Sequence, residues 1–290
     1  MTACPIHSTA AHPAAVDIVY TASPREHTRT GTFRMIPGFR SAFLETARDI
    51  LVYLPPGYDT DTRRRYPVLY LQDGQNLFDG ATAFIPGKEW RVDETAQRLI
   101  RTRAIEPLII VGIYNAGVHR LAEYTPTATR RFRDAGRADA YGRMIVEELK
   151  PLIDRTYRTL PDAAHTGLGG SSLGGLVSLY LGLKYPQVFR KLAVLSPSVW
   201  WDNRLIIGQV LRLTERPDVK IWLDVGTREG DPASHQRNVE DTRALRDALL
   251  QKGWVLDRDL KYLEAVGAEH NEEAWAARVE PMLRFLFPPR

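Results

Sequence analysis

An α/β fold with a mostly parallel central sheet and helices on both its faces is what this 290-residue chain predicts, and three observations predict it. Short runs rich in Val, Ile and Leu alternate along the chain with longer segments of helical periodicity. The short runs are apolar throughout rather than alternately polar, and Pro, Gly or Asp bounds them, as for strands covered on both faces by helices. The composition, 44% hydrophobic and 26% charged, is ordinary for a globular chain and ample for one core.

Residues 1–45 read as an irregular segment that adds at most an edge hairpin, and residues 46–290 as one α/β domain. The strand runs are DILVYL (49–54), PVLYLQ (67–72), PLIIVGI (107–113), KLAVLS (191–196), KIWLDVG (220–226) and DLKYLEA (259–265). The segment 138–157 has apolar residues at helical spacing, with Pro151 as an expected kink or break. In 238–253, Ala244, Leu245, Ala248 and Leu249 share a face, and Gly253 supplies a stop. A last helix is expected over about 272–287, ended by two prolines. Two long connections, 73–105 and 115–139, interrupt this rhythm, and long loops in compact domains are usually functional or disordered. The second carries ATRRFRDAGR, which reads first as a solvated basic face.

The net charge of +4 comes without a lysine block, so no nucleic-acid partner is expected, and anionic ligands are favoured only slightly. Cys4 is the only cysteine, which excludes an intrachain disulfide. The N-terminus has no charged start followed by an apolar stretch, and no run of about 18 apolar residues occurs. A soluble, cytoplasmic protein with no membrane segment is the expectation.

The stretch GLGGSSLGG (167–175) carries the chemistry. The pattern G-x-S-x-G fits it in one register, Gly170-Ser171-Ser172-Leu173-Gly174, which makes Ser172 rather than Ser171 the candidate nucleophile. A serine on a sharp strand-to-helix turn has a strained backbone, and neighbouring chain must approach it without β-carbons. The helix that follows points its N-terminal N–H groups at charge developing near Ser172.

A serine hydroxyl needs a base, and the base needs an orienting acid. Only His235 and His270 follow Ser172. His270 stands just after the last strand run and before the terminal helix, where a loop brings a base over the turn. His235 follows no strand directly and reads as a surface or substrate-side residue. His7, His12, His27, His119 and His165 read most simply as surface or core residues. The acid is expected in LDVGTREGDP (223–232), with Glu229 first, Asp231 in reserve and Asp224, inside the apolar strand, last. Two N–H donors must hold the oxyanion. The amide of Leu173 is one, and the amide of Gln75, beside Gly74 in the loop after PVLYLQ, is the other.

With these residues in place the chain resembles the putative-esterase family of α/β-hydrolases. That family includes enterochelin esterases, carbohydrate feruloyl and acetyl esterases, S-formylglutathione hydrolases and the mycolyltransferases of the antigen 85 group. The resemblance covers about residues 48–287 and rests on ILVYLPPGYD, YPVLYLQDGQNLFD, EWRVDE, RLAEYTP, EELKPLIDRTYRT, GGSSLGG, LSPSVWW and EHNEEAW, in that order. It implies an α/β-hydrolase fold and a triad of Ser172, His270 and an acid placed at Glu229. Because the family's acid can be Asp or Glu, Asp231 stays open. The site is implied to be rimmed by Trp200, Trp201 and the RLAEYTP segment, since an indole offers a flat apolar face with one N–H donor. The same logic adds Trp90 and Tyr124 as candidate pocket residues. Arg120 and Glu123 either orient a substrate oxygen or form a structural ion pair holding the long loop, with the second favoured. DGQN stands where more familiar hydrolases carry an HGGG-type oxyanion loop, in keeping with this family.

The expected activity is serine carboxylic-ester hydrolysis through an acyl-enzyme, on a small-molecule ester. Enterochelin-esterase-like and generic short-chain or phenolic ester substrates both fit. Acyl transfer to an alcohol or sugar would use the same triad. A catalytically silent binding protein would be expected to have lost Ser172 or His270, and both are present. No cofactor or metal is expected, because neither H-E-x-x-H nor a Cys/His cluster occurs.

Overall fold

A computed structural model describes residues 26–289. Its strands are β1 (Thr32–Phe39), β2 (Arg48–Leu54), β3 (Val68–Gln72), β4 (Ile109–Ile113), β5 (Thr166–Ser171), β6 (Lys191–Leu195), β7 (Lys220–Gly226) and β8 (Leu260–Ala265). They form one sheet in the order β1-β2-β4-β3-β5-β6-β7-β8. From β4 through β8 every pairing is parallel, while β1–β2 and β2–β4 are antiparallel. The six strand runs read from the sequence all lie in this sheet, and the lead-in to the serine turn forms β5. Within the segment expected to be irregular, β1 lies at the sheet edge and pairs with β2. Cys4, His7 and His12 lie outside the described residues.

The helices are α1 (Val92–Arg101), α2 (Arg120–Glu123), α3 (Ala138–Arg143), α4 (Lys150–Thr156), α5 (Leu173–Lys184), α6 (Trp201–Arg212), α7 (His235–Gln251) and α8 (Glu272–Leu286). One core cluster joins β2, β4 and β5 residues such as Val52, Val111 and Leu168 to α5 through Leu176, Val177 and Leu181. The other joins Leu51, Leu69, Ile110 and Trp222 to α1 and α8 through Ala96, Leu99, Val279 and Met282. Period-two side chains send alternate strand residues to opposite faces, and each face meets helices, so the inner strands β3 and β4 are buried along their whole length. Each fully buried Leu, Ile or Val adds about 1.5–3 kcal/mol over an exposed one.

Two differences from the sequence expectation have local causes. At Pro151 the helix changes its winding instead of breaking: residues Met144–Leu149 form a π-helical segment, and Pro151 falls in the first turn of α4. Pro151 has no N–H to give to the preceding turn, and it follows that π-helical winding. The first long connection contains α1, whose buried Val92, Ala96, Leu99 and Ile100 recur at helical spacing.

All the parallel strands point their carboxyl ends the same way, so the loops after β3, β5, β6, β7 and β8 gather at one edge of the sheet. Ligands of open α/β sheets bind at that edge.

Candidate active site

Ser172 alone makes the turn between β5 and α5. Its backbone is held at φ 58, ψ −124, a strained conformation for a residue with a side chain, costing of order 1–3 kcal/mol. The neighbouring glycines are what permit it. A Cβ on Gly170 would meet Gln72 Cβ at 2.8 Å, and one on Gly175 would meet the Leu195 carbonyl oxygen at 2.9 Å. The Ser172 N–H donates to Leu195 O at 3.1 Å, and Ser172 O accepts from the Ser198 N–H at 3.0 Å. Ser198 also brings its hydroxyl to 3.4 Å from Ser172 Oγ.

Glu229 follows β7, and His270 lies between β8 and α8. Glu229 is 2% exposed. Its Oε2 lies 2.9 Å from His270 Nδ1, and its Oε1 accepts the Gly226 N–H at 2.6 Å. With Nδ1 committed to the carboxylate, Nε2 is the imidazole nitrogen left to act. Trp275 packs edge-on against the imidazole with ring centroids 4.9 Å apart. Ser172, Glu229 and His270 line one cavity of about 320 Å³, together with Leu173, Ser198 and Trp200. The structure therefore brings together the three residues that the sequence singles out as nucleophile, base and first-choice acid.

Asp231 points elsewhere. Its Oδ1 accepts the N–H and hydroxyl of Ser234 at 2.9 and 2.7 Å, and those bonds hold its carboxyl below the usual range. His235 opens α7, with Nε2 3.2 Å from the Gly230 carbonyl oxygen. Asp224 is wholly buried on β7, ion-paired to Arg278 at 2.7 Å.

Leu173, as the first residue of α5, has an amide without an intrahelical acceptor. Gln75 sits in the one-turn helix Gly74–Asn76 after β3 but is not among the residues lining the 320 Å³ cavity. Gly74 is required there, because a Cβ would stand 2.5 Å from the Gly112 carbonyl carbon. Asp73, left-handed at φ 56, anchors this turn. It takes both arms of Arg120 at 2.6 and 2.7 Å and the Asn115 side-chain amide at 2.7 Å. Arg120 and Glu123 are thus both in ion pairs, though not with each other: Glu123 chelates Arg48 at 2.7 and 2.9 Å.

Of the aromatic candidates, Trp200 is 49% exposed and lines both the cavity beside Ser172 and a neighbouring one of about 810 Å³. Trp201 borders the second cavity but is itself buried, stacked on Phe132 at 5.4 Å. Trp90 and Tyr124 need correction as pocket walls. Both are fully buried: Trp90 packs behind Trp275 at 5.7 Å, and the Tyr124 hydroxyl accepts the Asp73 N–H at 3.3 Å. They support the residues that hold the site, because apolar ring area gains more from burial than from a wet cleft.

Ser196, Trp275 and Arg278 were not singled out from the sequence. A signal existed for Arg278, which stands on the buried face of α8 with Trp275, Val279 and Met282, where a cation needs a partner. Among the described residues, Glu89, Asp93 and Glu94 bring ligand oxygens within 4.8 Å of one another, but none of them lines the cavity beside Ser172. No helix among the described residues is long and apolar enough to cross a membrane.

Residues 41–286 match the family model described as "Putative esterase". The protein YbbA of Bacillus subtilis, itself uncharacterized, is 28% identical over 83% of this chain and 92% of its own length. The ferri-bacillibactin esterase BesA of the same organism is 28% identical over 63% of this chain and 66% of its own. In fold, the crystal structure of the BES protein from Bacillus cereus superposes with a TM-score of 0.69 at 23% identity, covering 92% of this chain and 99% of that one. A family match over most of the chain, on an α/β-hydrolase sheet, makes this protein a member of that esterase family and a carboxylic ester hydrolase.

Proposed function

We propose that the protein, with residues 46–290 as its catalytic unit, cleaves its ester through an acyl-enzyme on Ser172. His270 carries the proton, and Glu229 orients the imidazole. The observation that carries this reading is the 2.9 Å contact between Glu229 Oε2 and His270 Nδ1, in a cavity that Ser172 also lines.

Ser172 Oγ attacks the ester carbonyl carbon while His270 Nε2 takes its proton, giving a tetrahedral oxyanion and an imidazolium. The Leu173 and Gln75 amides hold the oxyanion, each worth about 2.7–4 kcal/mol in the transition state. As the intermediate collapses, His270 returns the proton to the departing alcohol and leaves an acyl group on Ser172. Water then attacks this acyl-enzyme, giving its proton to Nε2, and the carboxylic acid leaves as Ser172 recovers its hydrogen. The His270 side chain is 34% exposed, which lets water reach the acyl-enzyme and favours hydrolysis over transfer.

An ester bearing an anionic aromatic group fits the surroundings best. Arg130, Arg131 and Arg133 border the 810 Å³ cavity, which shares the Trp200 ring with the catalytic one. A cation beside an aromatic face suits catecholate or phenolic acids, and a siderophore esterase among the relatives supports that class. The test is labelling with a fluorophosphonate, wild type beside Ser172→Ala, followed by p-nitrophenyl esters of increasing acyl length and matched neutral and anionic aryl esters. Labelling and turnover both vanish in the variant while its circular dichroism is unchanged. An unlabelled wild type, or an active Ser172→Ala, defeats the acyl-enzyme reading, and equal kcat/KM for neutral and charged aryl esters defeats the substrate class.

A further inference from the structure

Behind the Glu229–His270 pair lies a cluster of buried polar groups that the steps above do not use. Arg278 is 3% exposed, Ser196 2% and Asp224 0%. Arg278 Nη1 donates to Asp224 Oδ1 at 2.7 Å and to Ser196 Oγ at 3.2 Å. Trp275 Nε1 donates to the same Ser196 oxygen at 3.0 Å. The Ser196 hydroxyl is in turn hydrogen-bonded to Glu229 Oε1.

The direction of the Ser196 hydroxyl hydrogen follows from counting. A hydroxyl has one proton and two lone pairs. Two N–H donors occupy the acceptor side of Ser196 Oγ, so its proton goes to the remaining neighbour, Glu229 Oε1. That oxygen also takes the Gly226 N–H and is supplied by two donors. Oε2 is left for the Nδ1–H of His270. Ser196 itself is pinned in a left-handed conformation at φ 41, its N–H bonded to the Asp224 backbone and carboxylate at 3.0 and 3.1 Å.

Charge is distributed with the same economy. The charged and titratable groups facing Glu229 are His270, Arg278 at 3.8 Å and, through Arg278, Asp224. One guanidinium therefore serves two buried carboxylates.

We infer that Ser196 and Arg278 are positioning residues of this esterase. They fix the Glu229 carboxylate with its Oε2 turned to His270, so that the imidazole holds one tautomer through the reaction. This inference rests on the reading of Glu229 as the triad acid. The alternative is that the cluster only ties α8 to the sheet.

The experiment compares Glu229→Gln, Ser196→Ala, Arg278→Lys and Arg278→Met in the full chain. It measures kcat and KM on one p-nitrophenyl ester from pH 5 to 9, and the low-field proton resonance of the His270 Nδ1–H. Ser196→Ala lowers kcat by about 10- to 100-fold with KM nearly unchanged, and its low-field resonance moves upfield. Arg278→Met moves the acid limb of the pH–rate profile to higher pH, because two buried carboxylates without a cation take up a proton. Arg278→Lys, which keeps the charge, restores that limb. If Ser196→Ala and both Arg278 variants keep the wild-type kcat and acid limb while Glu229→Gln loses activity, the triad stands and the positioning role is wrong. If Glu229→Gln stays active, the triad reading itself has failed. Should Arg278→Met not fold, Ser196→Ala decides alone, since it removes one hydroxyl and no charge.

Discussion

Two arginine–carboxylate clusters stand on either side of the Ser172 turn in the strand order, Arg278 with Asp224 on β7, and Arg120 with Asp73 just after β3. The first is sealed, with side chains 3% and 0% exposed. In the second the arginine is 27% exposed and the aspartate 7%. A sealed ion pair gains little over apolar packing, yet losing one member strands a charge where no water can reach it. In the second pair the arginine reaches solvent, and Asp73 keeps the Asn115 side-chain amide as a partner when the arginine is lost. Similar chemistry thus makes one side of the site brittle and the other tolerant, and the brittle side is the one next to Glu229 and His270.

The largest effect that tests this contrast is Arg278→Met, expected to cost about 3–5 kcal/mol of unfolding free energy, the usual penalty for breaking a buried pair. Urea denaturation measures it, and a loss below about 1 kcal/mol would erase the contrast. Arg120→Gln comes next. It should cost about 1–2 kcal/mol, less than a fully buried charged hydrogen bond. Its kcat should fall by less than loss of a whole oxyanion donor would cause, and a larger drop would mean that Gln75 depends wholly on Asp73. Raising the salt concentration should also weaken the Arg120 contribution and leave that of Arg278 in place.

A pH measurement sharpens the comparison further. Burial pushes the Asp224 carboxyl up from 3.8 to about 6, against the pull of Arg278. Between about pH 4 and 6 the folded protein therefore holds a proton there that the unfolded chain has released. This site's contribution to stability accordingly falls as pH rises through that window. In Asp224→Asn that part of the slope of unfolding free energy against pH disappears, and an unchanged slope would show that Asp224 does not titrate there. The smallest effect belongs to Asp231→Asn, which should change turnover by less than about two-fold, whereas Glu229→Gln should cost at least about a hundred-fold. The reverse ranking moves the orienting acid to Asp231.

What the sequence by itself determined were the features whose causes lie within a few residues. The inner strand runs announce themselves through near-continuous apolarity, because both their faces are covered. The turn at Ser172 is legible because its steric demand falls on Gly170, Gly174 and Gly175, its neighbours in the chain. Glu229 and His270 could be ranked because each stands just past a strand, where loops converge. α1 was obscured within a long connection, though Val92, Ala96, Leu99 and Ile100 mark its buried face. Tertiary structure alone decided that Trp90 and Tyr124 back the site instead of lining it, and that Arg120 meets Asp73 while Glu123 meets Arg48. It alone placed Ser196, between Asp224 on β7 and Arg278 on α8, against Glu229. Nothing near Arg278 in the chain names its partner. A cation on an apolar helix face demands an anion, but which of the 35 acidic residues answers is settled only when the helix packs against the sheet.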